Sequence, residues 1–258
     1  MTELSFDAKS LAAFVRAARE RLTPEACGLP ARHRRRAPGL RREEAANLCH
    51  ISPTWLTYIE QGRTTGISSA TLGGIARGLR LSRAERSYLF ALAANTKSAP
   101  PPPEVSDPHL IEPLVQSVMS PAYVLDRHWD AVAWNAAAQD LFSGWLGGEE
   151  RNQLRYVFLD ASARTFIAEW HKRAARLVAE FRADTAVSQE DPVRRALVDE
   201  LCHASPDFAS AWASHSVLER EGGLRQFHGK TGTCQFVQYT LRPAAYGDLK
   251  LIVLTPAP

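Results

Sequence analysis

The apolar positions in the N-terminal part of the chain repeat with the period of an α-helix. One stripe follows the i, i+3, i+4, i+7 and i+11 spacing of a helix face and comprises Leu11, Phe14, Val15, Ala18 and Leu22. A second stripe, preceded by Ser68 or Ser69 as N-cap, comprises Leu72, Ile75, Ala76 and Leu79. Ser82 and Glu85 then form an S-x-x-E capping box before a third helix. Together with two helices in the segment between the first two stripes, the pattern predicts five helices.

That segment, RREEAANLCHISPTWLTYIEQGR (residues 41–63), predicts two short helices joined by a tight turn. The first covers residues 42–49, and its inward positions are Ala45, Ala46 and Cys49. His50 falls at the turn, where a positive φ is often needed. Ser52 is a good N-cap and Pro53 suits the first helical position, so a second helix starts there and stops at Gly62. Its Leu56 and Ile59 face the core.

The N-terminal end of the second helix carries the side chains that a recognition helix presents to base edges in the major groove. These are Ser52, Pro53, Thr54, Thr57 and Tyr58. Three flanking arginines, Arg41, Arg42 and Arg63, suit contacts to phosphates. We expect the stretch RHRRR to add Arg34, Arg35 and Arg36 as an arm or loop on the DNA backbone or in a minor groove, with a disordered segment as the alternative. The alternative is a helical pair in a core with incidental surface arginines.

The charge and the prolines divide the chain into two domains. Residues 1–99 contain 16 Lys and Arg against 8 Asp and Glu, whereas residues 100–258 contain 15 against 20. A dense cationic surface on the first part favours nucleic acid as its partner. The sign changes at TKSAPPPPEVSDP, where four consecutive prolines disfavour helix and strand. We therefore expect a DNA-binding domain over residues 1–95, a linker over 96–108 and a regulatory domain over 109–258.

The second domain mixes strand and helix signals. Two alternating runs, 122–125 and 131–134, predict a hairpin across DRHWD, and a helix follows over 135–142. A long amphipathic helix is predicted from Phe166 and Ile167 to Phe181, then one opened by Asp191 and Pro192, and a short one with Phe208 and Trp212. LRQFHG, TCQFVQYTLRP and LKLIVLTP alternate like three antiparallel strands. The fold class is thus an all-α helix-turn-helix domain followed by an α+β domain with an antiparallel sheet.

Little in the chain indicates catalysis, a cofactor, a metal or a membrane. No apolar run is long enough for a transmembrane helix, and the N-terminus lacks the pattern of a signal peptide, so we expect a cytoplasmic protein. The four cysteines show no zinc-site spacing. The stretch GGLRQFHGKTGT fails the glycine spacing of a phosphate loop, and HGKTG is better interpreted as a hairpin turn. The histidines accompany no catalytic motif, so we expect no enzyme and no cofactor.

The helix-turn-helix ending in I-E-Q-G-R resembles the XRE, or lambda-repressor-like, class of regulators. RRRAPGLRREEAA and WLTYIEQGR resemble more narrowly the regulators whose second half is an MmyB-like ligand-binding domain. The resemblance continues in PAYVLDRHWDAVAWN, RNQLRYVFLD and FASAWASHSV, so it covers nearly the whole chain. It implies a PAS-like fold for the second domain, with a pocket between sheet and helices and a small apolar, fatty-acid-like ligand.

For such a pocket we expect an apolar lining from Trp134, Trp170, Trp212, Phe227 and Phe236, with Asn135, Arg155 and His215 fixing the ligand's head. The same aromatic residues could instead fill a dry core, and the domain would then serve only dimerisation or protein interaction. A DNA-targeted enzyme is the third alternative. The preferred hypothesis is a sequence-specific transcription regulator that binds a two-fold operator in double-stranded DNA as a homodimer and senses the ligand.

Overall fold

The computed structural model describes residues 8–30, 39–64, 66–94, 111–186, 191–219, 222–229, 232–243 and 248–258. The chain divides into two compact units, formed mainly by Met1–Ser98 and by Ala99–Ala213 with Glu219–Pro258. The predicted linker, residues 96–108, lies outside the described residues, as do Arg34, Arg35 and Arg36. Among the helices of the described ranges, none has the length and apolarity needed to cross a membrane.

The first unit contains the five predicted helices and a 3-10 turn at Glu25–Cys27. The helices are α1 (Ala8–Arg21), α2 (Arg42–Leu48), α3 (Pro53–Glu60), α4 (Ser69–Gly78) and α5 (Arg83–Ala93). Leu11, Phe14, Val15 and Ala18 of the predicted stripe are buried in α1, whereas Leu22 lies just beyond the end of the helix and is half-buried. Phe14 packs edge-on against Tyr88 with ring centroids 5.1 Å apart. The capping box of α5 is present, because Ser82 Oγ accepts from Glu85 N and Glu85 Oε2 accepts from Ser82 N.

The helix pair of residues 41–63 forms as the sequence predicts. Its turn places His50 at a φ of 55°, and the second helix ends before Gly62 at a φ of 66°. Cys49 is buried, and desolvation raises the pKa of its thiol to about 11. A Cβ on Gly78 would lie 2.6 Å from Leu48 O and 2.7 Å from Cys49 Sγ, so α4 crosses the end of α2 at a distance that only glycine permits.

The second unit is a mixed domain built on one sheet. Its strands are β1 (Ala122–Leu125), β2 (Ala131–Trp134), β3 (Gly223–Gly229), β4 (Gly232–Leu241) and β5 (Lys250–Pro256). The sheet is antiparallel in the order β2-β1-β5-β4-β3, so the last strand lies between the first and the fourth. This confirms the predicted fold class. The predicted HGKTG turn joins β3 to β4, where Gly229 pairs with Gly232; residues 230–231 lie outside the described ranges.

Seven helices accompany the sheet in the described part of this unit: α6 (Glu112–Ser117), α7 (Ala136–Leu141), α8 (Gln153–Leu159), α9 (Ala161–Phe166), α10 (Trp170–Asp184), α11 (Pro192–Ala204) and α12 (Pro206–Ala213). One sheet face packs against a large aromatic core, and the other packs against α6 through Ile111 and Val115. The sequence pattern gave no prediction of α6, α8 and α9 as separate helices.

The predicted start of the long amphipathic helix at Phe166 and Ile167 is wrong. The helix begins at Trp170, because Glu169 adopts a positive φ of 49° and interrupts the helical path. Ile167 forms an isolated bridge with Phe227, and Ala168 N donates to Gln226 O at 3.1 Å. The ring of Phe166 stacks on Phe227 with centroids 5.0 Å apart. Tertiary contacts with the edge strand therefore override the local helical periodicity.

Candidate functional site

The N-terminal end of α3 presents an exposed, capped surface. Ser52 Oγ accepts from Trp55 N at 3.1 Å, and Pro53 occupies the first turn. Ser52, Pro53 and Thr54 are exposed, and Tyr58 is 44% exposed. Thr57 is half-buried and donates its hydroxyl to Pro53 O at 2.9 Å, which leaves its lone pairs to accept from a base. The structure thus brings the predicted base-contacting residues together on one helix.

A buried carboxylate holds this helix in place. The Glu60 side chain has no exposed surface; its Oε1 lies 2.5 Å from Arg19 Nε and its Oε2 lies 2.7 Å from Arg42 Nε. Arg19 also donates to Leu40 O at 2.8 Å. Burial by itself lowers the pKa of Arg19, but the bonds to Glu60 outweigh it and raise that pKa overall. Arg42 remains half exposed, and Arg41 and Arg63 are exposed, as phosphate contacts require.

The second unit contains a cavity of about 580 Å³ between the sheet and the helices. Its apolar wall is formed by Tyr123, Phe142, Trp145, Tyr156, Val157, Ile167, Leu177, Phe227 and Leu254. Phe142 lies at the centre of this wall, with ring centroids 5.6 Å from Tyr123, 5.9 Å from Trp145 and 5.3 Å from Phe227. The cavity wall is therefore continuous with the core that holds the domain together.

The polar lining is rich in cations. It comprises Gln153, Glu169, Lys172, Arg173, Arg176, Arg225, Gln226, His228 and Gln238. Glu180, which is fully buried, accepts on Oε1 from Arg173 Nη1 at 3.1 Å and from Arg176 Nε at 2.9 Å. Arg225 Nε donates to Gln238 Oε1 at 3.0 Å. Arg173 and Arg176 are thus held in place by a residue behind the lining, and Arg225 by another residue of the lining.

The hydroxyl groups of the two tyrosines in the wall have different hydrogen-bond partners. Tyr123 OH accepts from Gln153 Nε2 at 3.2 Å. Tyr156 bonds Ser162 instead; burial, opposed by this bond, raises the pKa of Tyr156 to about 12. Tyr156 stacks on Trp145 with an interplanar angle of 11°.

Of the residues predicted to contact a ligand, Phe227 lines this cavity and the others lie outside its lining. Phe236 does not line the cavity but packs beside Phe227, with ring centroids 6.2 Å apart. Trp134 lies under Arg151 at 4.8 Å, Trp170 donates to Val157 O at 3.1 Å, and Trp212 stacks on Phe208. These tryptophans pack within the domain rather than at the cavity.

The three predicted head-group residues are also placed elsewhere. Asn135 caps α7: its Oδ1 accepts from Ala122 N and Ala138 N, and its Nδ2 donates to Val118 O and Ser120 O. Arg155 forms a two-bond pair with Glu200 at 2.9 and 2.7 Å. His215 lies in the turn after α12 at a φ of 52°. The cationic side chains of the cavity lining are instead Lys172, Arg173 and Arg176 on α10 and Arg225 on β3.

The DRHWD turn brings Asp126, His128 and Asp130 together, with one ligand-type atom of each within 4.8 Å of the others. Asp126 Oδ1 accepts from the N–H groups of His128 and Asp130. His128 Nε2 pairs with Asp191 Oδ2 at 2.7 Å, and Asp130 Oδ1 accepts from Asn152. Desolvation raises the pKa of Asp126. These bonds stabilise the hairpin turn and tie it to the start of α11.

A helix-turn-helix unit with an exposed recognition helix, joined to a unit with an amphipathic cavity, defines the class of ligand-responsive DNA-binding regulators. Residues 107–258 match the MmyB-like transcription regulator ligand binding domain, and residues 10–89 match a helix-turn-helix domain. The chain belongs to the family of MmyB-like transcription regulators. No curated protein matches it significantly. The protein is thus a transcription regulator with DNA and a small molecule as partners.

Proposed function

We propose that the protein is a non-enzymatic regulator that acts in the cytoplasm, binds a two-fold operator as a homodimer, and responds to a fatty-acid-like ligand in the C-terminal cavity. The observation that carries the proposal is the cavity in which an aromatic wall adjoins the arginines of α10. Its volume, about 580 Å³, lies within the range of about 300–1,000 Å³ that is usual for small-molecule sites.

The arginines favour a ligand with one anionic head. Arg173 and Arg176 share the carboxylate of Glu180, so these three groups carry one net positive charge. A carboxylate accepts charge-assisted hydrogen bonds from guanidinium groups, and these are shorter and stronger than bonds between neutral groups. Because Glu180 anchors both side chains, a ligand that binds them does not have to order two flexible side chains. The head group therefore has a preorganised partner, while the aromatic wall accepts the tail.

Exposed apolar side chains on the sheet face opposite the aromatic core support homodimerisation. Leu224 pairs with Val237, and Tyr239 pairs with Val253 across neighbouring strands, so these side chains share one face. Leu224, Tyr239 and Leu241 are each at least half exposed. Exposed apolar side chains grouped on one face are typical of interaction sites. A second copy of the chain would supply the second recognition helix that a two-fold operator requires.

The ligand would regulate DNA binding by favouring one arrangement of the paired DNA-binding units. It shifts the equilibrium between arrangements only by as much as its affinity for them differs. The ligand and the operator are then coupled reciprocally, so operator DNA changes the apparent ligand affinity by the same factor.

The ligand part is tested by thermal unfolding of the full chain with saturated fatty acids and their methyl esters. A ligand that binds the folded state raises the midpoint, and we expect the free acid to raise it more than the ester. Arg176→Ala should abolish that difference. Arg195→Ala, an exposed substitution outside the cavity lining, is the matched control. Absence of any shift with every acid tested would favour a domain that serves only dimerisation.

The DNA part is tested separately, by selecting bound sequences from a randomised duplex pool at two salt concentrations. We expect an enriched motif with two-fold symmetry, since each recognition helix reads one half-site. Binding that depends on salt but enriches no motif would mean that the arginines contact phosphate alone.

A further inference from the structure

The cavity wall contains a neutral hydrogen-bonding pair on elements other than the helix that carries its arginines. Tyr123 is on β1 and Gln153 is on α8, whereas the arginines discussed above are on α10. Tyr123 is 3% exposed and Gln153 is 8% exposed, so both are almost fully removed from solvent. Such groups are satisfied in most folded proteins, and each exception calls for an explanation.

Tyr123 retains a proton to donate. Its hydroxyl accepts from Gln153 Nε2, and within the described ranges no residue accepts the hydroxyl proton in turn. A tyrosine hydroxyl both donates and accepts, so half of its capacity remains unused. The surrounding wall of Phe142, Trp145 and Phe227 offers aromatic rings rather than acceptors.

Trp145, which lies beside Tyr123, also has a hydrogen-bond donor without an acceptor. Its indole N–H is buried and has no hydrogen-bond partner in the part of the chain that the structure describes. Its ring meets that of Tyr123 edge-on with centroids 5.3 Å apart, and both residues line the cavity. A buried donor without an acceptor is costly, and a ligand oxygen atom that accepts from one of the two donors would relieve part of that cost.

The geometry points to a ligand with a second oxygen: a fatty acid that carries a hydroxyl or oxo group along its chain. This inference rests on the proposed function, because it takes the carboxylate to be held by the arginines. The charged carboxylate and the uncharged chain oxygen of the ligand would bind to different groups in the cavity. Guanidinium groups form the stronger bond with an ionised carboxylate, whereas the neutral Tyr123 and Trp145 donors suit a neutral oxygen. The chain oxygen would accept from Tyr123 while Gln153 continues to donate to the same hydroxyl.

This arrangement makes Tyr123 a specificity-determining residue. An unmodified alkyl chain would leave the buried donors unpaired, and a site built to bond a ligand oxygen discriminates against the analogue that lacks it. One neutral hydrogen bond of this kind corresponds to a preference of about tenfold in affinity.

The test measures the affinity of the full-length protein for one saturated fatty acid and for a series of its hydroxy and oxo derivatives. The derivatives differ only in the position of the added oxygen. We expect one position to bind about tenfold more tightly than the parent acid, with weaker binding on either side of it. Equal affinity across the series would overturn the inference and leave the fatty-acid proposal standing. Failure of the parent acid and all derivatives to bind would overturn both.

A matched pair of variants assigns the effect to the hydroxyl. Tyr123→Phe should remove the preference for the oxygenated ligand and leave the affinity for the parent acid unchanged. Tyr156→Phe removes a hydroxyl that bonds Ser162 from the same wall and leaves the Tyr123–Gln153 pair intact, so the preference should persist. A preference that survives in Tyr123→Phe would overturn the assignment. The wild-type ligand series does not depend on either variant, so it remains decisive if a substitution prevents folding.

Discussion

Arg42 Nε lies 2.7 Å from Oε2 of Glu60, so the first residue of α2 is bonded to the last residue of α3. The other oxygen of Glu60 binds Arg19 on α1. A carboxylate at the end of the recognition helix thereby fixes the positions of two arginines, of which one is buried and the other is half exposed. Arg19 therefore has a structural role, whereas Arg42 keeps the exposure that its predicted phosphate contact requires.

Removal of the Glu60 charge should destabilise the DNA-binding unit. Glu60→Gln leaves Arg19 buried beside a neutral partner, and breaking a buried pair in this way costs about 3 kcal/mol. The measurement is denaturant unfolding. Glu43→Gln on the exposed side of α2 is the control, and its unfolding free energy should match the wild type. An equal loss in both variants would contradict a specific role for the buried pair.

The DNA-binding surface should separate into residues that read bases and residues that bind phosphate. Thr54→Ala should alter sequence preference by about 1–3 kcal/mol for the lost base contact. Arg42→Ala should weaken binding to all sequences and reduce the slope of log affinity against log salt by about one. Binding titrations on operator and unrelated duplexes at several salt concentrations distinguish the two. A uniform loss on all sequences for Thr54→Ala would refute its role in base recognition.

The crossing of α2 and α4 should tolerate no side chain at Gly78. The Cβ of Gly78→Ala would lie 2.6 Å from Leu48 O, and we expect a loss of about 1–3 kcal/mol through overpacking. Gly73→Ala on the same helix meets only the flexible end of Arg77 at 3.5 Å. It should stabilise the helix by up to about 1 kcal/mol through helix propensity. Thermal unfolding measures whether each variant is more or less stable than the wild type, and a stabilising Gly78→Ala would contradict the close crossing.

The N-cap of α11 should stabilise the C-terminal unit more at neutral pH than at acidic pH. Burial raises the pKa of Asp191, but bonds from His128 and from the N–H groups of Arg194 and Val193 outweigh it and lower the pKa overall. The stabilising charge is therefore fully present above the unfolded value of about 3.9 and is lost as the pH falls through the folded pKa.

Asp191→Asn keeps an acceptor for the cap and removes the charge, so it isolates this effect. The variant should be less stable than wild type near neutral pH, and the difference should shrink as the pH falls below about 4. Urea unfolding followed at a series of pH values tests it. A difference that stays constant with pH would assign the loss to packing instead of charge.

Local chemistry made the first unit predictable. The positive φ of His50 and the caps at Ser52 and Ser82 depend on residues within a few positions, and each is present where the sequence indicates it. The same local rule was available for Asn135, which follows a strand and precedes a helix, but its capping role was missed in favour of ligand binding. The ligand contacts predicted for Asn135 and Arg155 fall on polar side chains whose hydrogen bonds are used within the fold.

The cavity could not be located from local patterns, because its wall assembles from distant parts of the chain. Tyr123, Gln153 and Arg173 come from a strand and two different helices. Both cavity residues and core residues are aromatic, and composition does not distinguish them. The periodicity of α10 predicts its apolar face but not the pairing of Arg173 and Arg176 with the buried Glu180.

The position of β5 between β1 and β4 also sets the order in which the protein can become functional during synthesis. Tyr123 pairs with Ile252, so the centre of the sheet, and with it Leu254 of the cavity wall, forms only after β5 has been made. The helical first unit needs only the residues up to the end of α5 at Ala93, which are made well before β5. A nascent chain can therefore acquire a folded DNA-binding unit while its sensor is still unable to hold a ligand.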